Sequence, residues 1–149
     1  MKQIPYITFV DSDVKFDAVS FGKDVDIYLA DPNGWESKGY SFVRVQKASP
    51  TTVRIYLSSP ETIKKFGCKS NLSCAEMGGT EMRVNAMRWS KGAPDSKLDL
   101  DSYRQYVVSH EMGHILGHDH VKCPGAGQPA PIMMQQTLGI GECSPNTKV

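Results

Sequence analysis

All four histidines of the chain lie in one stretch, SHEMGHILGHDHVKC, from Ser109 to Cys123: His110, His114, His118 and His120. Imidazole is the commonest metal ligand among side chains, so the question is how many of these rings can reach one ion. His110 and His114 are four residues apart. On a helix that spacing returns both rings to one face, ~6 Å apart along the axis, where they can meet a zinc ion at ~2.0–2.1 Å. Glu111 points to the side of that pair. It is poorly placed to be a ligand there but can reach a water on the metal. Two ligands do not hold zinc tightly, so the chain must supply a third. Gly117 allows the helix to end in a left-handed turn that other residues adopt at a cost. Such a reversal can bring His120 back under the metal, whereas His118, next to the glycine, is expected to be directed away. The expected ligand set is His110, His114 and His120, with His118 left over.

Three neutral imidazoles leave a fourth position on zinc open, which separates a catalytic site from a closed structural one. The expected chemistry is peptide-bond hydrolysis by a metal-bound water, with one catalytic Zn2+ and Glu111 as the general base. The chain contains no Ser-His or Cys-His constellation independent of these histidines.

The pattern H-E-x-x-H-x-x-G-x-x-H resembles the signature of the metzincin clan of zinc metallopeptidases. Metzincins also carry a methionine in a tight turn below the metal, and APIMMQQT (Ala130–Thr137) resembles that turn, with Met133 as the turn residue and Met134 as the alternate. From YLADPNGW through NAMRWSKGAP, the histidine stretch and CPGAGQPAPIMMQQT, the chain is similar to a bacterial, mainly actinobacterial, metzincin-like domain family of unknown function. That similarity covers about residues 21–146. It implies a metzincin-type fold and zinc site, and brings no substrate with it. Two features depart from the clan. The tail after Gly117 is short, implying a shallow primed-side pocket. The position where some metzincins place a transition-state tyrosine is Gln135, or Gln136 if Met134 is the turn residue, so that role is not carried over.

The elements that must position these residues can be read from periodicity. Ile4–Val10, Tyr40–Gln46 and Thr52–Ser58 read as strands, as does EMRVNAMRW (Glu81–Trp89). Phe21, Val25, Tyr28 and Leu29 form the stripe of a helix resting on a sheet, stopped by the turn residues DPNGW. Ser59 and Pro60 open a short helical piece. A long helix starts near Leu100, capped by Asp99 or Asp101, with Tyr103, Val107, His110 and His114 along its inward stripe, and ends at Gly117. The Pro/Gly-rich segment beyond it is expected to be irregular. The element order gives an α+β fold class, which the resemblance implies is metzincin-like: a mixed sheet with a backing helix and an active-site helix, then a short irregular C-terminal lobe. Residues 1–149 are read as a single domain, with 1–117 as the N-terminal lobe and 118–149 as the C-terminal lobe holding the methionine turn. Strand Glu81–Arg88 is expected to be the edge with which an extended peptide pairs.

Composition bounds the remaining possibilities. Seventeen basic and sixteen acidic residues leave a net charge of +1 without a long basic run, so nucleic-acid binding by bulk charge is not indicated. No apolar run approaches the ~20 residues of a membrane span. MKQIPYITFV does not read as a signal peptide, so the chain either stays inside or has lost a leader. Four cysteines at local spacings suit disulfides Cys68–Cys74 and Cys123–Cys143 and hence a secreted protein. Four reduced thiols, or Cys123 as a metal ligand, are the alternatives. The expected partner is a protein or peptide substrate, and the chain is expected to be a monomer. The rival readings are a zinc-holding module with little catalysis, and an amidase acting on a cell-wall peptide or other non-protein amide.

Overall fold

A computed structural model describes residues 1–149. Five strands, β1 (Lys2–Val10), β2 (Tyr40–Arg44), β3 (Val53–Ser58), β4 (Cys74–Ala75) and β5 (Glu81–Asn85), form one sheet in the order β2-β1-β3-β5-β4. All neighbours are parallel except β4, which runs antiparallel to β5. Four α-helices accompany it: α1 (Ala18–Leu29), α2 (Pro60–Lys65), α3 (Ala86–Lys91) and α4 (Leu100–Ile115). The architecture is α+β with a mixed sheet.

Alternation decides which side of the sheet is covered. Ile4 and Tyr6 of β1, Val53, Ile55 and Leu57 of β3, and Met82 and Val84 of β5 are buried in one core cluster with Phe21, Val25, Tyr28 and Leu29 of α1. Tyr103, Tyr106, Val107, Val108 and Met112 of α4 belong to the same cluster. Trp89 is fully buried within it, edge-on to Phe21 at 5.0 Å and to Tyr28 at 6.2 Å. Pro5 is tolerated inside β1 because β3 pairs only from Tyr6 onward, so the proline has one strand neighbour and no ladder donor is missed.

The helix starts follow side-chain chemistry. Asp17 caps α1, accepting from the Ser20 amide at 2.9 Å, and Ser59 caps α2 ahead of Pro60. Asp99 is the cap of α4, accepting from the Ser102 amide at 2.8 Å. Asp101 instead accepts the Tyr28 hydroxyl at 2.6 Å, which ties α4 to α1.

Two expectations are corrected here. The strand read over Glu81–Trp89 stops at Asn85, and α3 begins in its place. The cause is the Asn85 side chain, which accepts from the amides of Met87 and Arg88 at 3.0 and 3.3 Å, a helix N-cap that turns the chain out of the sheet. Nor is this strand an edge. It lies between β3 and the two-residue β4, so the edge on this side of the sheet belongs to Cys74–Ala75, with β2 at the other. Disulfide Cys68–Cys74 closes the loop leading into β4. Asn85 holds that loop as well, donating its amide to the carbonyls of Ser70 and Leu72 at 2.8 and 3.2 Å.

Asn85→Ala should therefore remove a cap and two loop hydrogen bonds from a fully buried site. The expected loss is about 2–3 kcal/mol, at ~1 kcal/mol for each interaction, read from urea unfolding. An unchanged midpoint would show that Asn85 does not hold the loop.

Candidate metal centre

The site is built on the end of α4. Leu116 caps the helix, and Gly117 follows at φ +97°. The Gly117 amide donates to the carbonyl of His114 and the His118 amide to that of Gly113, each at 2.9 Å. That pair of bonds is a Schellman turn, and it reverses the chain so that residues 118–120 run back beneath the helix.

The reversal brings together His110, His114 and His120, whose candidate ligand atoms all lie within 4.8 Å of one another. The ring centroids are 4.9 Å apart for His110–His114, 5.2 Å for His110–His120 and 4.6 Å for His114–His120. The Nδ1 of His110 is 2.8 Å from the carbonyl of Ile132, and the Nδ1 of His114 is 2.8 Å from that of His118. A carbonyl can only accept, so each Nδ1 carries the proton and each Nε2 presents a lone pair. Nε2 of His114 lies 3.0 Å from Nε2 of His120, close to the ~3.3 Å that two nitrogens sharing one tetrahedral ion keep. This donor set fits a metal ion.

Burial supports the same protonation. It pushes His110 down to about 3 and lowers His114, so both rings are neutral at physiological pH. His118 is turned out of the trio, its ring stacked on Trp35 at 4.7 Å and 26°. Only its carbonyl serves the cluster, through His114.

Below α4 the chain makes a tight turn, with the Met134 amide donating to the Pro131 carbonyl at 2.9 Å. Met133 is the methionine whose side chain lies against the helix. A Cβ on Gly113 would fall on its sulfur and on the Trp35 ring. The backbone carbonyl of Met134 accepts the Tyr106 hydroxyl at 2.9 Å. Gly113 and Trp35, whose indole donates to the Ser109 carbonyl at 2.7 Å, were not singled out by sequence reasoning. The available signal was Gly113 itself, since glycine in mid-helix costs about 1 kcal/mol relative to alanine and needs a reason.

A cleft of about 440 Å³ opens in front of the three histidines. The Cys68–Cys74 loop and β4 form one wall and residues 135–138 contribute to another, with Gln135 among the lining residues. Tyr106 and Glu111 also line it. The second disulfide, Cys123–Cys143, staples the segment that returns beneath α4.

Residues 2–146 match the family described as Protein of unknown function (DUF3152). The chain belongs to that family. No curated protein matches the sequence of this DUF3152 chain. Among solved structures, it is similar to "Crystal structure of myroilysin", at 16% identity and TM-score 0.48, covering 79% of this chain and 44% of that one. It is likewise similar to "Structure of Myroilysin", at 16% identity and TM-score 0.48, covering 85% and 46%. The DUF3152 chain thus spans less than half the length of either.

Glu111 is 4% exposed, and burial alone raises its carboxyl from 4.5 to about 8. In the metal-free DUF3152 protein the folded state therefore keeps a proton that the unfolded state has released. This contribution to stability is complete below about pH 4.5 and is lost as pH rises through about 8. Melting temperatures of metal-free wild type should fall across that range relative to Glu111→Gln, which does not titrate. Parallel curves for the two proteins would contradict a carboxyl held without a charge partner.

Proposed function

We propose that this chain is a zinc-dependent endopeptidase of the metzincin type, acting on protein or peptide substrates outside the cytoplasm. The observation that carries the reading is the convergence of His110, His114 and His120 at the cleft with Glu111 buried beside them. Three imidazole nitrogen donors with no carboxylate among them suit zinc better than magnesium or calcium. Zinc bound there would act as a Lewis acid on a peptide carbonyl and make water acidic enough to attack at neutral pH.

The chain's own residues account for the remaining steps. A Glu111 carboxylate oxygen takes the proton of the attacking water and delivers it to the leaving amine nitrogen. Glu111 holds a proton readily in its buried setting, which suits the second half of that exchange. A structural metal site has no use for such a base, and this separates the proposal from a zinc-holding module. The substrate lies extended along the outer edge of β4, whose outward backbone groups are not used by β5, and not along β5, which is interior. Two disulfides support secretion, and no helix is long and apolar enough to cross a membrane.

Metal analysis of protein purified without chelators should find one zinc per chain, and metal-free wild type after such handling would sink the proposal. Glu111→Ala should retain zinc and cleave a peptide library roughly 10²–10⁴-fold more slowly; cleavage at the wild-type rate would remove Glu111 as the base. His120→Ala should lose zinc while His118→Ala keeps it. The opposite pattern would mean that the third ligand is misassigned.

A further inference from the structure

Tyr106 stands one helical turn before His110 and is only 1% exposed. Its hydroxyl sits among three groups. It donates to the Met134 carbonyl at 2.9 Å, accepts from the Gln136 amide at 2.9 Å, and lies 3.3 Å from Nδ1 of His110. A phenol oxygen has one proton and two lone pairs. The proton goes to Met134 and one lone pair to Gln136, so the other is available to the His110 Nδ1 proton. That proton is thereby shared between the Ile132 carbonyl at 2.8 Å and the Tyr106 oxygen. One side chain thus touches the first histidine of the trio and the stretch from Met134 to Gln136 that follows the turn beneath it.

We propose that Tyr106 is a positioning residue for the metal centre: together with the Ile132 carbonyl it fixes the ring orientation and tautomer of His110, and it sets the height of the loop carrying Ile132 and Met133. This inference rests on the metal centre proposed above. A polar partner on the outer nitrogen of a ligating histidine orients the ring and raises its basicity, and losing one typically costs 10–100-fold in metal affinity. Tyr103 supplies the comparison. Three positions earlier on the same helix, its hydroxyl meets the Thr137 hydroxyl at 3.0 Å. It ties the same loop to the same helix with no hydrogen bond to an imidazole.

The test compares metal-free wild type, Tyr106→Phe and Tyr103→Phe by three readouts: zinc competition against a chromophoric chelator, the visible spectrum of the cobalt(II)-loaded protein, and melting without metal. Tyr106→Phe should bind zinc about 10–100-fold more weakly and shift the cobalt bands. Tyr103→Phe should lower the melting temperature while leaving affinity and spectrum as in wild type. If Tyr106→Phe keeps both the affinity and the spectrum of wild type, the inference is overturned and the metal centre stands. If wild type itself binds no zinc, both fall. Should Tyr106→Phe not fold, 3-fluorotyrosine placed at position 106 keeps the packing and weakens the oxygen as an acceptor. It should shift the cobalt bands in the same direction, and an unchanged spectrum would overturn the inference.

Discussion

Two backbone carbonyls govern this site. A helix can present His110 and His114 on one face, but each imidazole still rotates about its own bonds and can carry its proton on either nitrogen. The carbonyls of Ile132 and His118 restrict both freedoms, since each accepts a hydrogen bond from an Nδ1–H and turns the matching Nε2 inward. Neither carbonyl belongs to the helix. One is delivered by the reversal at Gly117, the other by the segment folded under α4. The tail is irregular by secondary structure yet closely tied. Cys123–Cys143 staples it, Asn146 donates to the Ala130 carbonyl at 2.9 Å, and Gln136 donates to the Asn146 carbonyl at 2.9 Å.

The same arrangement explains how polar groups survive inside the protein. Ser109, His110, Glu111 and His114 are all buried on a helix whose neighbouring Val108 and Met112 belong to the apolar core. An unpaired charge in such a place costs several kcal/mol. The rings avoid it by remaining neutral and hydrogen-bonded, and Glu111 avoids it by holding its proton while no cation is near. The buried part of the metal-free site, His110, Glu111 and His114, is thus uncharged near neutral pH.

Legibility in the sequence followed the range of the interactions involved. The spacing of His110, His114, Gly117 and His120 carries its own geometry, because a helical turn and a glycine reversal are local. The stripe Phe21, Val25, Tyr28 and Leu29, buried on α1, was readable for the same reason. EMRVNAMRW was misread because its β-forming residues outweighed one asparagine, and a cap reveals itself only when the following amides turn toward it. The two-residue β4 is too short to leave a periodic trace, and its place at the edge depends on pairing across a disulfide loop. Trp35 sat in a stretch read only as a turn, although its indole reaches Ser109 across 74 positions. Contacts of that length have no local signature.

The carbonyl of His114 also accepts the amide of Gly78 at 2.9 Å, from the turn between β4 and β5. The β4–β5 hairpin and α4 are thus joined by a backbone-to-backbone bond in addition to core side chains such as Met82 and Val84. Sequence drift can reshape the mouth of the cleft through Lys69, Leu72 or Leu138. The Gly78–His114 bond itself joins backbone groups, which no substitution at position 78 short of proline removes. The rim of the cleft is thereby open to change while the β4–β5 turn stays tied to the end of α4.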